Sequence, residues 1–197
     1  MDAAWLLVAP AYLIGTFPSA SLVAGRQGRD VTAEGSGNPG ASNAYRTLGR
    51  RAGALVLAGD LAKGALAATL GLAAGHRGAA VACGLAAVLG HVAPITRGLR
   101  GGKGVATGAG MAAVLLPGPA AVLALLWLAA VRLSGAASVG SLVVALGLPV
   151  AALAVGRPSG EVAAFAACGA LVVARHRDNL GRLRRGEERT LSPGARD

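Results

Sequence analysis

VLLPGPAAVLALLWLAAV, residues 114–131, is apolar on every face and interrupted only by a Pro-Gly-Pro triplet at 117–119. Strands of a membrane barrel alternate apolar and polar residues, and this run does not. In lipid every backbone N–H and C=O must be paired within the protein, which leaves helices or closed barrels as spanning structures. The absence of alternation selects helices. The triplet cannot sit inside one straight helix, because proline removes an N–H and clashes with the preceding turn. The run therefore divides into two short elements, either two helices meeting near the far surface or a re-entrant hairpin. Both return the chain to the side it left.

Outward from that run, the rest of the chain reads the same way. Of its 197 residues 54% are hydrophobic, 14% charged and 3% aromatic, and its mean hydropathy is +0.58. That is too little charge for the skin of a soluble domain of this length. Crossing the hydrocarbon layer takes about 20 helical residues, with about 17 as a floor. Candidate spans fall at roughly 3–24, 52–75, 78–96, 104–116, 119–133, 138–156 and 160–174, the fourth and fifth short of that floor. The chain lacks a basic stretch before its first apolar run, so that run reads as a retained helix rather than a secretory signal. The expectation is an all-α integral membrane protein, one domain over 1–197, built as a compact bundle of about seven transmembrane helices. The spans are rich in Ala and Gly, which allow close helix approach.

Sixteen of the nineteen Lys and Arg residues fall on one side of these spans: in the 26–51 loop, the 97–103 loop, at Arg132, and in a basic tail from about 175 that includes Arg196. Only Arg77 and Arg157 lie on the other side, with Lys63 inside a span. By the positive-inside tendency the crowded side is cytoplasmic, so the N-terminus is outside, the C-terminus inside, and the glycine-rich loops face the cytoplasm. Orientation accounts for the net charge of +10, and the near absence of stacking aromatics argues against nucleic acid as a partner. Cys83 and Cys168 lie in apolar runs and read as packing residues, with no metal or disulfide implied.

Three segments on the basic side hold the informative polar residues. GSGNPGASN at 35–43, followed by Arg46, offers glycine backbone and the Ser36, Ser42 and Asn43 side chains to an anion. An ordinary flexible loop has the same composition, and the residues alone leave both readings open. RGGKG at 100–104 puts Lys103 just before a helix start, where an anion is favoured. It lacks the spacing and the Ser/Thr of a nucleotide-binding P-loop, and a plain positive anchor would look similar. In RHRDNLGR at 175–182, His176 and Asn179 share a helix face, while the arginines suit anionic lipid.

Asp60 and Lys63, three apart inside a span, read as a structural ion pair, and His91 as a packed, hydrogen-bonded histidine. Ser138 and Ser141 read as helix caps or site residues. No histidine has an aspartate five positions later, and neither a serine-hydrolase elbow nor a ligand cluster is present. Catalysis here would rest on positioning and charge. A small transporter or binding protein for phosphorylated metabolites is the alternative, and a lipid-anchoring protein ranks third.

Taken in order, these motifs resemble the PlsY family of bacterial membrane enzymes. The first signature is residues 35–43 with Arg46, where Ser42 stands in place of the usual threonine; Asp60, Lys63 and Gly64 form a second element. Gly90, His91, Pro94 and residues 101–107 resemble the next, Ser138 and Ser141 another, and His176, Asn179, Arg182, Leu183, Gly186 and Glu187 the last. Aromatic residues usual in the family are replaced at Val92, Ala93, Ile95 and Leu99. The resemblance implies acyl transfer from acyl phosphate to the 1-hydroxyl of glycerol 3-phosphate, without a cofactor or metal, at the inner face of the plasma membrane. It implies Ser36, Arg46, Lys103, His176 and Asn179 as catalytic residues. Gly37, Asn38, Gly40, Ser42, Asn43, Gly101, Gly102, Ser138 and Ser141 would bind substrate, and Asp60, Lys63, His91 and Glu187 would support the site. Its partners would be the two substrates, membrane lipid and the soluble enzyme that makes acyl phosphate.

Overall fold

The computed structural model describes residues 3–191; Arg196 of the basic tail and the start of the chain at Met1 and Asp2 lie outside them. The described residues form helices α1 (Val8–Gly15), α2 (Ser19–Gly25), α3 (Ala41–Leu48), α4 (Arg50–Ala73), α5 (Arg77–Val92), α6 (Val105–Leu115), α7 (Pro117–Ser134), α8 (Ala137–Ala154), α9 (Ser159–Arg175) and α10 (Arg177–Arg185), and among them there is no strand. Apolar helix stands at each of the seven expected places. Five stretches are long and apolar enough to cross a membrane: Ala3–Gly25, Arg50–Ala73, Arg77–Arg97, Pro117–Ser134 and Ala137–Ala154.

The fifth run is longer than its composition suggested. Leu116 leaves helical geometry (φ −139°), and Pro117 opens α7 within its first turn, where a missing N–H costs nothing. α7 thus reaches 18 residues, while α6 keeps only 11. α6 packs against α4 and α5, and α7 lies along α8. Most of α7 faces outward, with only Leu123 buried.

The first run is not one straight helix. Pro18 ends α1, and the turn at Thr16 and Phe17 frees backbone carbonyls. Lys63 Nζ donates to the Phe17 carbonyl (3.1 Å) and Arg97 Nη2 to that of Thr16 (3.4 Å). Non-helical backbone at membrane depth survives only when protein groups satisfy it in this way.

Small residues set the helix spacing. A Cβ on Gly64 of α4 would lie 1.8 Å from the Thr107 carbonyl oxygen, and one on Gly110 of α6 would lie 2.0 Å from that of Leu61. Those two glycines let α4 and α6 cross backbone to backbone. The largest buried core cluster holds Val88 of α5, Met111 of α6, Leu148 of α8, and Phe165 and Cys168 of α9. At the far end of the bundle, Arg77 and Arg157 both bind Glu161 (2.9 and 3.0 Å), and Arg77 Nη2 donates to the Leu115 carbonyl (2.8 Å). A guanidinium thereby caps the C-terminus of the short helix α6.

Candidate active site

At the opposite end of the bundle, α3, the glycine loop 98–104, the start of α8 and α10 enclose a cleft of about 590 Å³. Its mouth is polar, lined by Ser36, Arg46, Lys103, His176, Arg182 and Glu188, and it deepens into an apolar trench past Leu61, Leu123, Trp127, Leu148 and Cys168. The 26–51 segment, expected as loop throughout, contains α3 because Ala41 to Leu48 can run helically once Gly40 has turned. Asn38, Gly40 and Ser42 line the cleft at the N-terminus of α3. Gly37 instead supplies the turn before it, at φ +68°.

Asn43 is 1% exposed, and its amide is spent on the loop. Nδ2 donates to the carbonyls of Val31 and Glu34 (both 3.0 Å), and Oδ1 accepts the Ser36 N–H (2.9 Å). Asn43 lines the cleft, and both its N–H groups are used in shaping the loop that presents Ser36.

Lys103 sits beside Gly104, whose left-handed backbone (φ +86°) opens α6. Its ammonium donates to Asn179 Oδ1. Asn179 Nδ2 donates to Glu188 Oε1 (2.6 Å), and Glu188 Oε2 accepts from Arg182 Nε (3.0 Å). This chain fixes the amide orientation and aims the lysine. Burial lowers the Lys103 ammonium to about 8; the Glu188 carboxylate opposes the shift, and Arg182 and Arg46 reinforce it. With Arg46 and Arg182 alongside and Glu188 the one acid among them, the mouth suits an anion.

His176, 2% exposed, joins α9 to α10. Its Nδ1 lies 2.7 Å from the Val172 carbonyl, which can only accept, so Nδ1 carries the proton and Nε2 is left as an acceptor. Burial pushes the imidazole down to about 4, holding it neutral at ordinary pH.

Beneath the mouth, Asp60, Lys63 and His91 form one buried network. Lys63 Nζ is 2.9 Å from Asp60 Oδ1 and 2.9 Å from His91 Nδ1. A charged lysine can only donate, so His91 is protonated on Nε2. That ring edge and the His91 carbonyl press on the glycine loop. A Cβ on Gly101 would lie 2.0 Å from the carbonyl oxygen, and one on Gly102 2.1 Å from Nε2. Gly101 and Gly102 thus seat the loop on His91 rather than line the cleft. Ser138 and Ser141 do line it, and neither caps α8: Ser141 Oγ donates back to the Ala137 carbonyl (2.8 Å), and Ser138 Oγ is buried without a partner among the described residues.

A sequence profile described as "Glycerol-3-phosphate acyltransferase" matches residues 5–186. The chain belongs to that family. Among acyltransferases of the family, the protein from Syntrophomonas wolfei is 41% identical over 196 residues, covering 99% of this chain and all of its own. The one from Pseudomonas paraeruginosa is 42% identical, over 94% and 98% of the two chains. The crystal structure of PlsY (YgiH), an integral membrane glycerol 3-phosphate acyltransferase, in its glycerol 3-phosphate form, superposes with a TM-score of 0.91 at 34% identity over 95% of each chain. Its lysophosphatidic acid form gives 0.89. Among the described residues of this acyltransferase, no cluster of His, Cys, Asp or Glu is arranged to hold a metal ion.

One expected residue is displaced. Glu187 bonds Arg185 on the surface, both side chains 59% exposed, whereas its neighbour Glu188 turns into the cleft. The α10 C-cap at Gly186 (φ +71°) reverses the chain so that the second acid, not the first, meets Asn179. Adjacent acids are indistinguishable by composition, but the family's closing motif ends in an acid two residues beyond its glycine, and counting from Gly186 falls on Glu188. Glu188→Gln is expected to lower kcat/KM about tenfold or more, the scale of one lost charged hydrogen bond. Glu187→Gln is expected to stay within about twofold of the parent, because an exposed ion pair contributes little. Parallel steady-state kinetics on the two variants checks both.

Proposed function

We propose that this protein transfers an acyl group from acyl phosphate to the 1-hydroxyl of glycerol 3-phosphate, giving lysophosphatidic acid and phosphate. One observation carries the reading: a cationic mouth continues directly into an apolar trench, matching a molecule with one phosphate and one acyl chain. The glycerol hydroxyl oxygen forms a bond to the acyl carbonyl carbon, and the carbon–oxygen bond to phosphate breaks. Acyl phosphate is already activated, so no protein nucleophile is required. The hydroxyl proton passes to a substrate phosphate, whose second pKa of about 6 makes it a stronger base than His176, held near 4. His176 Nε2 accepts a hydrogen bond from the glycerol and orients it. Lys103, Arg46, Ser36 and the free N–H groups at the start of α3 hold the phosphates. Ser138 Oγ, which has no partner among the described residues, donates to substrate.

Fifteen of the sixteen basic residues that the sequence groups on one side fall within the described residues, and this grouping supports placing the cleft at the cytoplasmic face of the plasma membrane, where a soluble enzyme would supply the acyl phosphate. Donor choice tests the reading: turnover is expected with acyl phosphate and none with acyl-CoA at equal concentration. Equal use of acyl-CoA would contradict it. The pH profile gives a second test. Phosphate binding needs charged Lys103, whose ammonium in the free enzyme is lost as pH rises through about 8. Accordingly kcat/KM is expected to fall above that pH, and Lys103→Arg to move the decline upward.

A further inference from the structure

A second groove runs along the outer flank of the bundle, between the break in the first run and α4, with a volume of about 970 Å³. Its walls are the apolar side chains of Leu13, Phe17 and Leu66, each more than half exposed. Its end, where α5 gives way to the glycine loop, holds Lys63, Thr96 and Arg97. The composition is divided: hydrocarbon-like walls at one end, two cations and a hydroxyl at the other.

The cations are not equivalent. Lys63 has three N–H groups, and all three are used, on Phe17, Asp60 and His91. It contributes charge but no free donor. Arg97 gives one bond, to the Thr16 carbonyl, while its Nε is buried and reaches no acceptor among the described residues. Ser19 Oγ is likewise buried and unpartnered, packed where a Cβ on Gly59 of the groove wall would stand 2.9 Å away. A buried guanidinium N–H without an acceptor costs about as much as a lost charged hydrogen bond, so such groups normally have one. Asp60 balances only one of the two positive charges.

The geometry points to an anionic phospholipid as the occupant of this groove, its phosphate on Arg97 and its acyl chains along Leu13, Phe17 and Leu66. A soluble phosphate ester would match the cations but leave the apolar walls wet, whereas a lipid satisfies both ends at once. The site is separate from the catalytic cleft and does not depend on the reaction assigned to it. The two adjoin through one network, since Lys63 in the groove bonds His91, on which Gly102 rests.

The test is native mass spectrometry of the delipidated full-length protein titrated with phosphatidylglycerol or phosphatidylcholine. Wild type is expected to bind phosphatidylglycerol at least tenfold more tightly than phosphatidylcholine. Arg97→Gln is expected to lose that preference, and Arg184→Gln, on the exposed face of α10, to keep it. Equal loss in both variants would mean that diffuse basic charge holds the lipid, and retention in Arg97→Gln would also overturn the assignment. Displacement of the lipid by millimolar inorganic phosphate would show a soluble-ligand site and overturn it as well. A phosphatidylglycerol carrying a photoreactive group near its headgroup, applied to the wild type, needs no variant to fold. Crosslinks are expected on peptides covering 13–19, 62–66 and 95–97, and crosslinks confined to the catalytic cleft would contradict the proposal.

Discussion

Lys103→Ala is expected to lower kcat/KM by about 10²–10³-fold, the scale of losing one preorganised charge at a developing oxyanion or phosphate. The side chain is half-buried, held by Asn179, and stands at the junction of the cationic mouth with the start of α6. Its removal leaves Asn179 and Glu188 still tied to Arg182, so the fold around the cleft persists. The loss therefore falls on turnover rather than on insertion or melting temperature. Arg46→Ala is expected to fall in the same range, because α3 presents it from the opposite wall. Steady-state kinetics on detergent-purified variants with wild-type melting temperatures measures this directly. Full activity in both would remove the cationic mouth from the mechanism.

Lys63→Met carries the largest expected effect on stability, a loss of about 3–5 kcal/mol, because it strands the Asp60 carboxylate in the bundle interior. Asp60 and Lys63 are 2% and 5% exposed, and no other cation bonds the carboxylate among the described residues. The same change uncaps the Phe17 carbonyl at the break in the first run. Pairing it with Asp60→Asn removes the stranded charge, so the double variant is expected to recover a large part of the loss. Chemical denaturation in mixed micelles, read across the double-mutant cycle, separates the terms. Additive losses would show that the two side chains do not act as a pair.

The helical spans were legible because unbroken apolar runs leave few alternatives in lipid, as the segment around Leu123 shows. What composition hid was local backbone. Pro18 carried the signal for the break in the first run, yet Pro149 sits inside α8 without ending it. The difference lies in neighbours: Lys63 and Arg97 reach the carbonyls freed near Pro18, and both come from distant parts of the chain. Helix α3 was hidden by the glycine, asparagine and serine that precede it.

In the site, spacing alone paired Asp60 with Lys63, three apart on one helix. It could not bring in His91, 28 residues beyond Lys63, which completes the network and supports the glycine loop. The family resemblance drew Ser36, Arg46, Lys103, His176 and Asn179 together, and the fold gathers all five around one cleft. It did not separate residues facing the cleft from residues that shape it. Gly101 and Gly102 belong to the second kind, Asn43 both lines the cleft and shapes its loop, and Glu188 rather than Glu187 meets Asn179.

The central claim is most directly tested by giving purified protein glycerol 3-phosphate and synthetic acyl phosphate, and following lysophosphatidic acid and inorganic phosphate together. The account predicts matched, one-to-one appearance of the two products in wild type and, in Lys103→Ala, both slowed together by about 10²–10³-fold. Phosphate release without lysophosphatidic acid, or no turnover by protein shown to be folded, would contradict it.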